Sequence, residues 1–181
     1  MKKIFLLAAM VMALISCTAF AAQTATGSTY GSTKVVIIGG AEFKTQDYYK
    51  LIQKTLGSKT KTLYECGDEI QSNYQMFMIE KYDIGEHLPN KQDMIEFVSS
   101  NGYSNVLFLK LNETIDTQNN AKSRQKNRIT IQLDAYLVDS SKIAKSSTTS
   151  QDFISKTSNL RARRGAFEKC LKEVAKTMNL Y

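Results

Sequence analysis

The chain has 181 residues and a formal net charge of +7, from 24 Lys and Arg against 17 Asp and Glu, with one histidine, three cysteines and no tryptophan. That length suits one domain with a real hydrophobic core rather than several domains. Ser-His-Asp and Cys-His chemistry, which needs an imidazole base, would have to rest on that one histidine, and the histidine and cysteines are too scattered to make more than a weak case for zinc.

The first element is an export signal. Lys2 and Lys3 form a positive start, Ile4 to Ile15 is an uncharged apolar run, and Ala19-Phe20-Ala21 offers small residues for cleavage. At 12 residues the run falls short of the ~20 that a membrane span needs. A second cut is open. Leu14-Ile15-Ser16-Cys17 resembles the lipobox of bacterial lipoproteins, in which Cys17 would be lipidated and become the new N-terminus. The length of the Ser16–Ala21 stretch favours ordinary cleavage after Ala21. Removing 21 of 181 residues leaves 160, and losing Lys2 and Lys3 takes the net charge from +7 to +5. A basic surface favours anionic partners, or simply keeps the chain soluble. Residues 22–33, rich in Ser, Thr, Gly and Ala, read as a flexible linker before a single domain over 34–181.

Lys34 to Gly39 is a short apolar run rich in β-branched residues, which predicts a strand buried on both faces. Gly39-Gly40 after it is a turn signal before it is a phosphate cradle. Thr45 is placed to cap a helix to about Leu56, stopped by Gly57. Thr62 to Cys66 reads as a second strand, and Asp68 as the cap of a helix to about Lys81. Asn90 caps the next helix, with Asp93 completing a capping box and Gly102 ending it. Asn105 to Leu111 is a buried strand. Asn127 to Asp139 alternates, with Ile129, Ile131, Leu133, Ala135 and Leu137 on one face. Thr130, Gln132, Asp134 and Tyr136 lie on the other, turned toward water or a partner. A turn at Asp139-Ser140-Ser141-Lys142 leads to a polar strand, Ile143 to Ile154, whose composition suits a sheet edge. A last helix covers about Leu160 to Asn179. The order strand-helix-strand-helix-helix-strand-strand-strand-helix predicts an α/β domain with a mixed sheet and flanking helices.

The KVVIIGG strand before a helix, the pair FVSSNGYSNVLFLKL and ITIQLDAYLVDSSKIAKSS, and the closing RRGAFEKCLKEVAKTM helix together resemble an envelope protein group. It comprises the curli-secretion protein CsgG, the penicillin-binding-protein activator LpoB and the amino-terminal domain of TolB. The likeness spans about Lys34 to Leu180. That group commonly has an aspartate followed by Thr-Gly before the last hairpin strand, whereas Asp139 here is followed by Ser140-Ser141. The resemblance implies the fold and an assembly role in the envelope, and no functional residue is carried over from it.

No G-x-S-x-G, Walker or G-x-G-x-x-G motif occurs, so neither a catalytic site nor a cofactor is expected. His87 stands alone in a loop and reads as a surface residue. Cys66 and Cys170 are an even pair that could form a disulfide, stabilising by ~4–5 kcal/mol on the chain-entropy model, or be two small buried hydrophobes. Glu65, Asp68 and Glu69 cluster after the second strand. They are either a carboxylate pair of a small hydrolase or first-turn acids facing a helix dipole, the simpler reading. Lys122, Arg124, Lys126 and Arg128 alternate with polar residues in a long loop, with no acid between Asp116 and Asp134 to neutralise them. Lys156, Arg161, Arg163 and Arg164 form a second basic group. Arg163 falls on the apolar stripe of the last helix, so either the helix begins after it, the simpler reading, or its guanidinium reaches a partner or a buried acid. The expected function is a non-enzymatic binding or assembly module of the envelope. Its partner would be an envelope protein met along the polar edge strand, or an anionic lipid or polymer. Export and the lack of a stacking-aromatic motif disfavour nucleic acid, so no such partner is expected.

Overall fold

A computed structural model of the chain describes residues 31–58, 61–83, 88–118 and 126–180. The elements are β1 (Ser32–Ile38), a 3-10 turn (Ala41–Phe43), α1 (Gln46–Gly57), β2 (Leu63–Glu65), α2 (Asp68–Tyr82), α3 (Lys91–Ser100), β3 (Asn105–Gln118), β4 (Lys126–Asp139), β5 (Ile143–Ser155) and α4 (Asn159–Thr177). One five-stranded sheet runs β2-β1-β3-β4-β5. β1 is parallel to β2 and β3, whereas β3, β4 and β5 are antiparallel neighbours. This is the mixed α/β architecture that the element order predicts: parallel where helices intervene, antiparallel where short turns join strands.

The period-2 alternation of β1 sends Val35 and Ile37 to one side of the sheet and Val36 and Ile38 to the other, where all four are buried. On the first side α1 and α4 close over Leu107, Leu109, Leu111, Ile129, Ile131, Leu133 and Ala135, with Phe43, Tyr48 and Phe167 in edge and tilted ring contacts. On the second side α2 and α3 cover Val106, Phe108 and Val138, with Tyr74 and Phe97 against Phe108. The helices are therefore split two and two across the sheet.

Local signals hold at several ends. Asn90 accepts from the Asp93 N–H at 3.0 Å while Asp93 accepts from the Asn90 N–H at 2.8 Å, the expected capping box. Gly102, at φ +65°, ends α3 in the left-handed region. Other expectations are corrected. Gly57 is the last residue of α1, with Ser58 as the cap in ordinary helical geometry. Gly67 precedes α2 and Asp68 is its first residue, accepting instead from the Tyr49 hydroxyl at 3.1 Å. β1 starts at Ser32 with Thr33 buried, so the ordered fold reaches two residues into the expected linker. β3 and β4 run 14 residues each, so Lys126 of the expected basic loop lies within β4, together with Arg128, which the Asn127–Asp139 strand reading already includes. α4 begins at Asn159, where Ser158 accepts from the Arg161 N–H at 3.2 Å, so Arg163 lies inside the helix.

Residues 1–30 hold the expected signal, Cys17 and most of the linker, and lie outside the described residues, as does His87. No helix among the described residues is long and apolar enough to cross a membrane.

Candidate functional site

The two edges of the sheet are finished differently. β2 is only three residues long, so among the described residues no strand pairs with the outer edge of β1 beyond Lys34. There the Gln71 side-chain amide of α2 closes the gap, donating to the Ile37 carbonyl at 3.1 Å and accepting its N–H at 2.6 Å. At the other edge, among the described residues, β5 pairs with β4 alone over 13 residues. Its Asp152 carbonyl accepts from Lys169 Nζ of α4 at 2.9 Å. The register across β3, β4 and β5 places Lys110, Asp134 and Thr148 in one row, Asn112, Gln132 and Ser150 in the next, and Thr114, Thr130 and Asp152 in a third. These rows lie past the apolar cover of α2 and α3, and their residues are exposed or half-exposed. Thr148 donates to Asp134 at 2.8 Å across β4–β5. The polar face read from the β4 alternation is thus one part of a larger open polar face that borders a free strand edge. Asp139 accepts from the Ser141 N–H and hydroxyl and from the Lys142 N–H, which hold its carboxyl below the usual range and fix the turn into β5.

The basic residues divide into three fates. Lys122 and Arg124 lie outside the described residues, and Lys126 stands in β4 opposite Gln118. Arg128 faces Asp116 on β3 and binds Asp152 of β5 at 2.8 Å, so the strand pairing supplies the neutralising acids that its own segment lacks. Arg163 makes a two-toothed bond to Glu113, Nε to Oε2 at 2.6 Å and Nη2 to Oε1 at 2.9 Å. It therefore reaches a buried acid and does not face an external anion, which overturns the simpler reading of a late helix start. Arg164 and Arg161 do reach the surface, in a cleft between α1 and α4. The pairing of Asn127 with Ser155 brings the chain at Lys126 beside that at Lys156, at one end of the sheet.

The early acids are engaged structurally. Glu65 bonds Lys34 and Ser32, and the Lys34 bond foremost holds its carboxyl low, the opposite of what a general acid needs. The hollow beside Glu65 and Glu69, with Cys66, Asn73 and Tyr103 on its wall, has a volume of about 110 Å³, against roughly 300–1,000 Å³ for ordinary ligand pockets. Gly39, at φ +141°, turns so close to the Leu111 carbonyl that a side chain would collide with it, and the Glu42 carboxylate lies over Gly40, where it would repel a phosphate. The turn reading of this pair is the one the geometry supports.

Cys66 and Cys170 are both free thiols. Cys170 donates to the Ile131 carbonyl of β4 at 3.3 Å, whereas Cys66 follows β2 at the far edge. Three strand intervals, roughly 14 Å, separate those two strands, about twice the Cα separation a disulfide spans. Burial pushes the Cys66 thiol up to about 12 and that of Cys170 up to about 11. The small-hydrophobe alternative describes both. Among the described residues no group of three or more His, Cys, Asp or Glu is arranged to hold a metal ion.

The α1–α4 cleft was not legible from residue order. Toward one end it holds about 480 Å³, lined by Lys50, Lys54, Arg164, Lys172, Glu168 and Leu51, among others. Toward the other it holds about 520 Å³, with Tyr48, Leu160, Arg161, Glu42 and Asp47. Leu51 and Arg164 line both parts and join them. The one sequence trace of it is Lys50 and Lys54, spaced i,i+4 and so on one side of α1.

No protein-family model matches this chain, and no curated protein does. Solved structures with a similar fold include the lipoprotein GNA1162 from Neisseria meningitidis, at 15% identity over 81% of this chain and 99% of that one, with a TM-score of 0.45. A PelC dodecamer from Paraburkholderia phytofirmans has 11% identity over 84% and 91%, TM-score 0.42. A minor lipoprotein from Acinetobacter baumannii has 12% identity over 83% and 90%, TM-score 0.28. The chain resembles these bacterial proteins in fold.

Proposed function

We propose that this chain is an exported, non-enzymatic assembly subunit of the bacterial envelope that pairs the free edge of β5 with a strand of a neighbouring subunit. The observation that supports this is the contrast between the edges: Gln71 satisfies the backbone at one, while among the described residues the 13 residues of β5 pair with no strand but β4, and only the Asp152 carbonyl is met from α4, by Lys169. Proteins commonly guard such an edge with prolines, lysines or a very short strand. β5 is long, lacks proline, and carries a single lysine, Lys145, near its start. Main-chain bonds along an edge give affinity, and the Ser and Thr side chains beside it give a polar contact compatible with a subunit that must also be soluble alone. The engagement of Glu65 with Lys34 and the small hollow beside it weigh against the carboxylate hydrolase.

The test is the size of the purified protein over a wide concentration range, by light scattering and native mass spectrometry, for the wild type and for Ser146→Lys with Ser150→Lys. Assembly of the wild type and its loss in the variant are expected. A wild type that stays monomeric throughout, and captures the same envelope proteins as the variant, would refute the reading.

The placement of Lys126 beside Lys156 favours a second contact, of this basic end with an anionic lipid or polymer. Reversing the charges of Lys122, Arg124, Lys126 and Lys156 should then weaken binding to anionic vesicles and polymers, and unchanged binding would remove it.

A further inference from the structure

Beyond that assembly role, the cleft between α1 and α4 has the makings of a ligand site. Both of its parts fall in the volume range of small-molecule pockets. Its charge is uneven. At the first end Lys50, Lys54, Arg164 and Lys172 face a single acid, Glu168, and Lys172 already binds that acid at 2.7 Å. Among the described residues Lys50, Lys54 and Arg164 make no ion pair, and all three are exposed. Lys50 and Lys54 are one helical turn apart, about 6 Å along the axis, so two oxygens of one tetrahedral anion can meet both. At the other end Glu42 and Asp47 balance Arg161 and Arg164, and the wall turns apolar with Leu51, the Tyr48 ring and Leu160, whose side chain is 63% exposed. Tyr48 is 4% exposed, yet its buried hydroxyl has no hydrogen-bond partner among the described residues.

We propose that this cleft binds one phosphate-bearing amphiphile, its phosphate among Lys50, Lys54 and Arg164 and its apolar chain along Leu51, Tyr48 and Leu160. Charge complementarity selects the head and the exposed Leu160 the tail. Lys50 and Lys54 act here as point charges suited to a phosphate, and the planar fork of Arg164 can take two of its oxygens. A cleft between helices accepts a single molecule, which distinguishes this site from the basic end of the sheet.

The test uses the purified protein and a soluble short-chain phosphatidylglycerol below its micelle concentration, with binding read by calorimetry. Two variants are compared with the wild type: Lys50→Glu with Lys54→Glu, and Leu160→Ser. These side chains are exposed, and unfolding curves check that both variants fold. Any lipid on Cys17 is common to all three proteins and cancels. Saturable binding is expected, weakened at least tenfold by the charge reversal and severalfold by Leu160→Ser, with inorganic phosphate and the matching phosphatidylcholine each at least tenfold weaker. Equal affinity in wild type and both variants, or no binding, overturns the proposal. Inorganic phosphate or an acidic peptide binding as tightly as the lipid also overturns it, since the apolar wall would then contribute nothing. Loss of self-assembly in the β5 variant with lipid binding intact separates this site from the edge-strand reading.

Discussion

The Arg163–Glu113 pair offers the sharpest test of how α4 sits on the sheet. Both bonds of the fork are short, the side chains are only 18% and 10% exposed, and the guanidinium lies 5.9 Å from the centre of the Phe43 ring. Removing Glu113 would leave a cation among apolar groups. Breaking a fully buried pair costs roughly 3–5 kcal/mol, and the residual exposure of Arg163 reduces this to about 2–4 kcal/mol. Glu113→Ala should therefore lower the melting temperature by about 4–16 °C, at roughly 2–4 °C per kcal/mol for a domain of this size. Replacing both partners with apolar residues, Glu113→Leu with Arg163→Met, removes the uncompensated charge and should return stability to within about 1 kcal/mol of the wild type. Urea unfolding followed by circular dichroism, with checks for two-state behaviour, measures all three. If the single variant costs less than about 0.5 kcal/mol, or the double variant is as unstable as the single, the pair is not buried and the helix begins after Arg163.

Asp93 is buried where α3 meets α2. Burial pushes its pKa up, but bonds from Lys81, the Tyr82 hydroxyl and the Asn90 N–H outweigh that and hold it below the ordinary value. A carboxyl depressed in the folded state contributes stability that is complete above its unfolded pKa of about 3.9 and is lost as pH falls through the folded value. The stability gap between wild type and Asp93→Asn should be constant from neutral pH to about pH 5 and shrink below about pH 4; a gap unchanged at about pH 3 would contradict the assignment. Gly165 of α4 lies so close to β5 that a Cβ there would sit 2.5 Å from the Phe153 ring. Gly165→Ala, which gains up to about 1 kcal/mol in an open helix, should here cost about 1–3 kcal/mol, and Phe153→Ala in the same chain should relieve the clash; a stabilising Gly165→Ala measured by urea unfolding would disprove the close approach. Denatured, unreduced protein should accept a thiol reagent at both Cys66 and Cys170, read by peptide mass, whereas a linked pair would block both.

What residue order determined is local. The strand in KVVIIG follows from four adjacent apolar residues needing two buried faces. Strict alternation assigns one apolar face of β4, whose other face is open only from Thr130 to Asp134, since Tyr136 and Val138 pack into the core under α2 and α3; the start and end of α3 follow from Asn90, Asp93 and Gly102. Each of these depends on neighbours within a few positions, where backbone sterics and one side-chain bond decide the outcome. Tertiary structure decided the rest. Arg163 meets an acid 50 positions away, Arg128 meets Asp152 through strand register, and Gln71 closes an edge that β2 is too short to cover. Lys50 and Lys172 share a cleft only because α1 and α4 lie side by side on one face of the sheet. A charge pattern along the chain shows where cations are concentrated, but the free energy of each depends on which acid, water or apolar surface the fold places within a few ångströms of it.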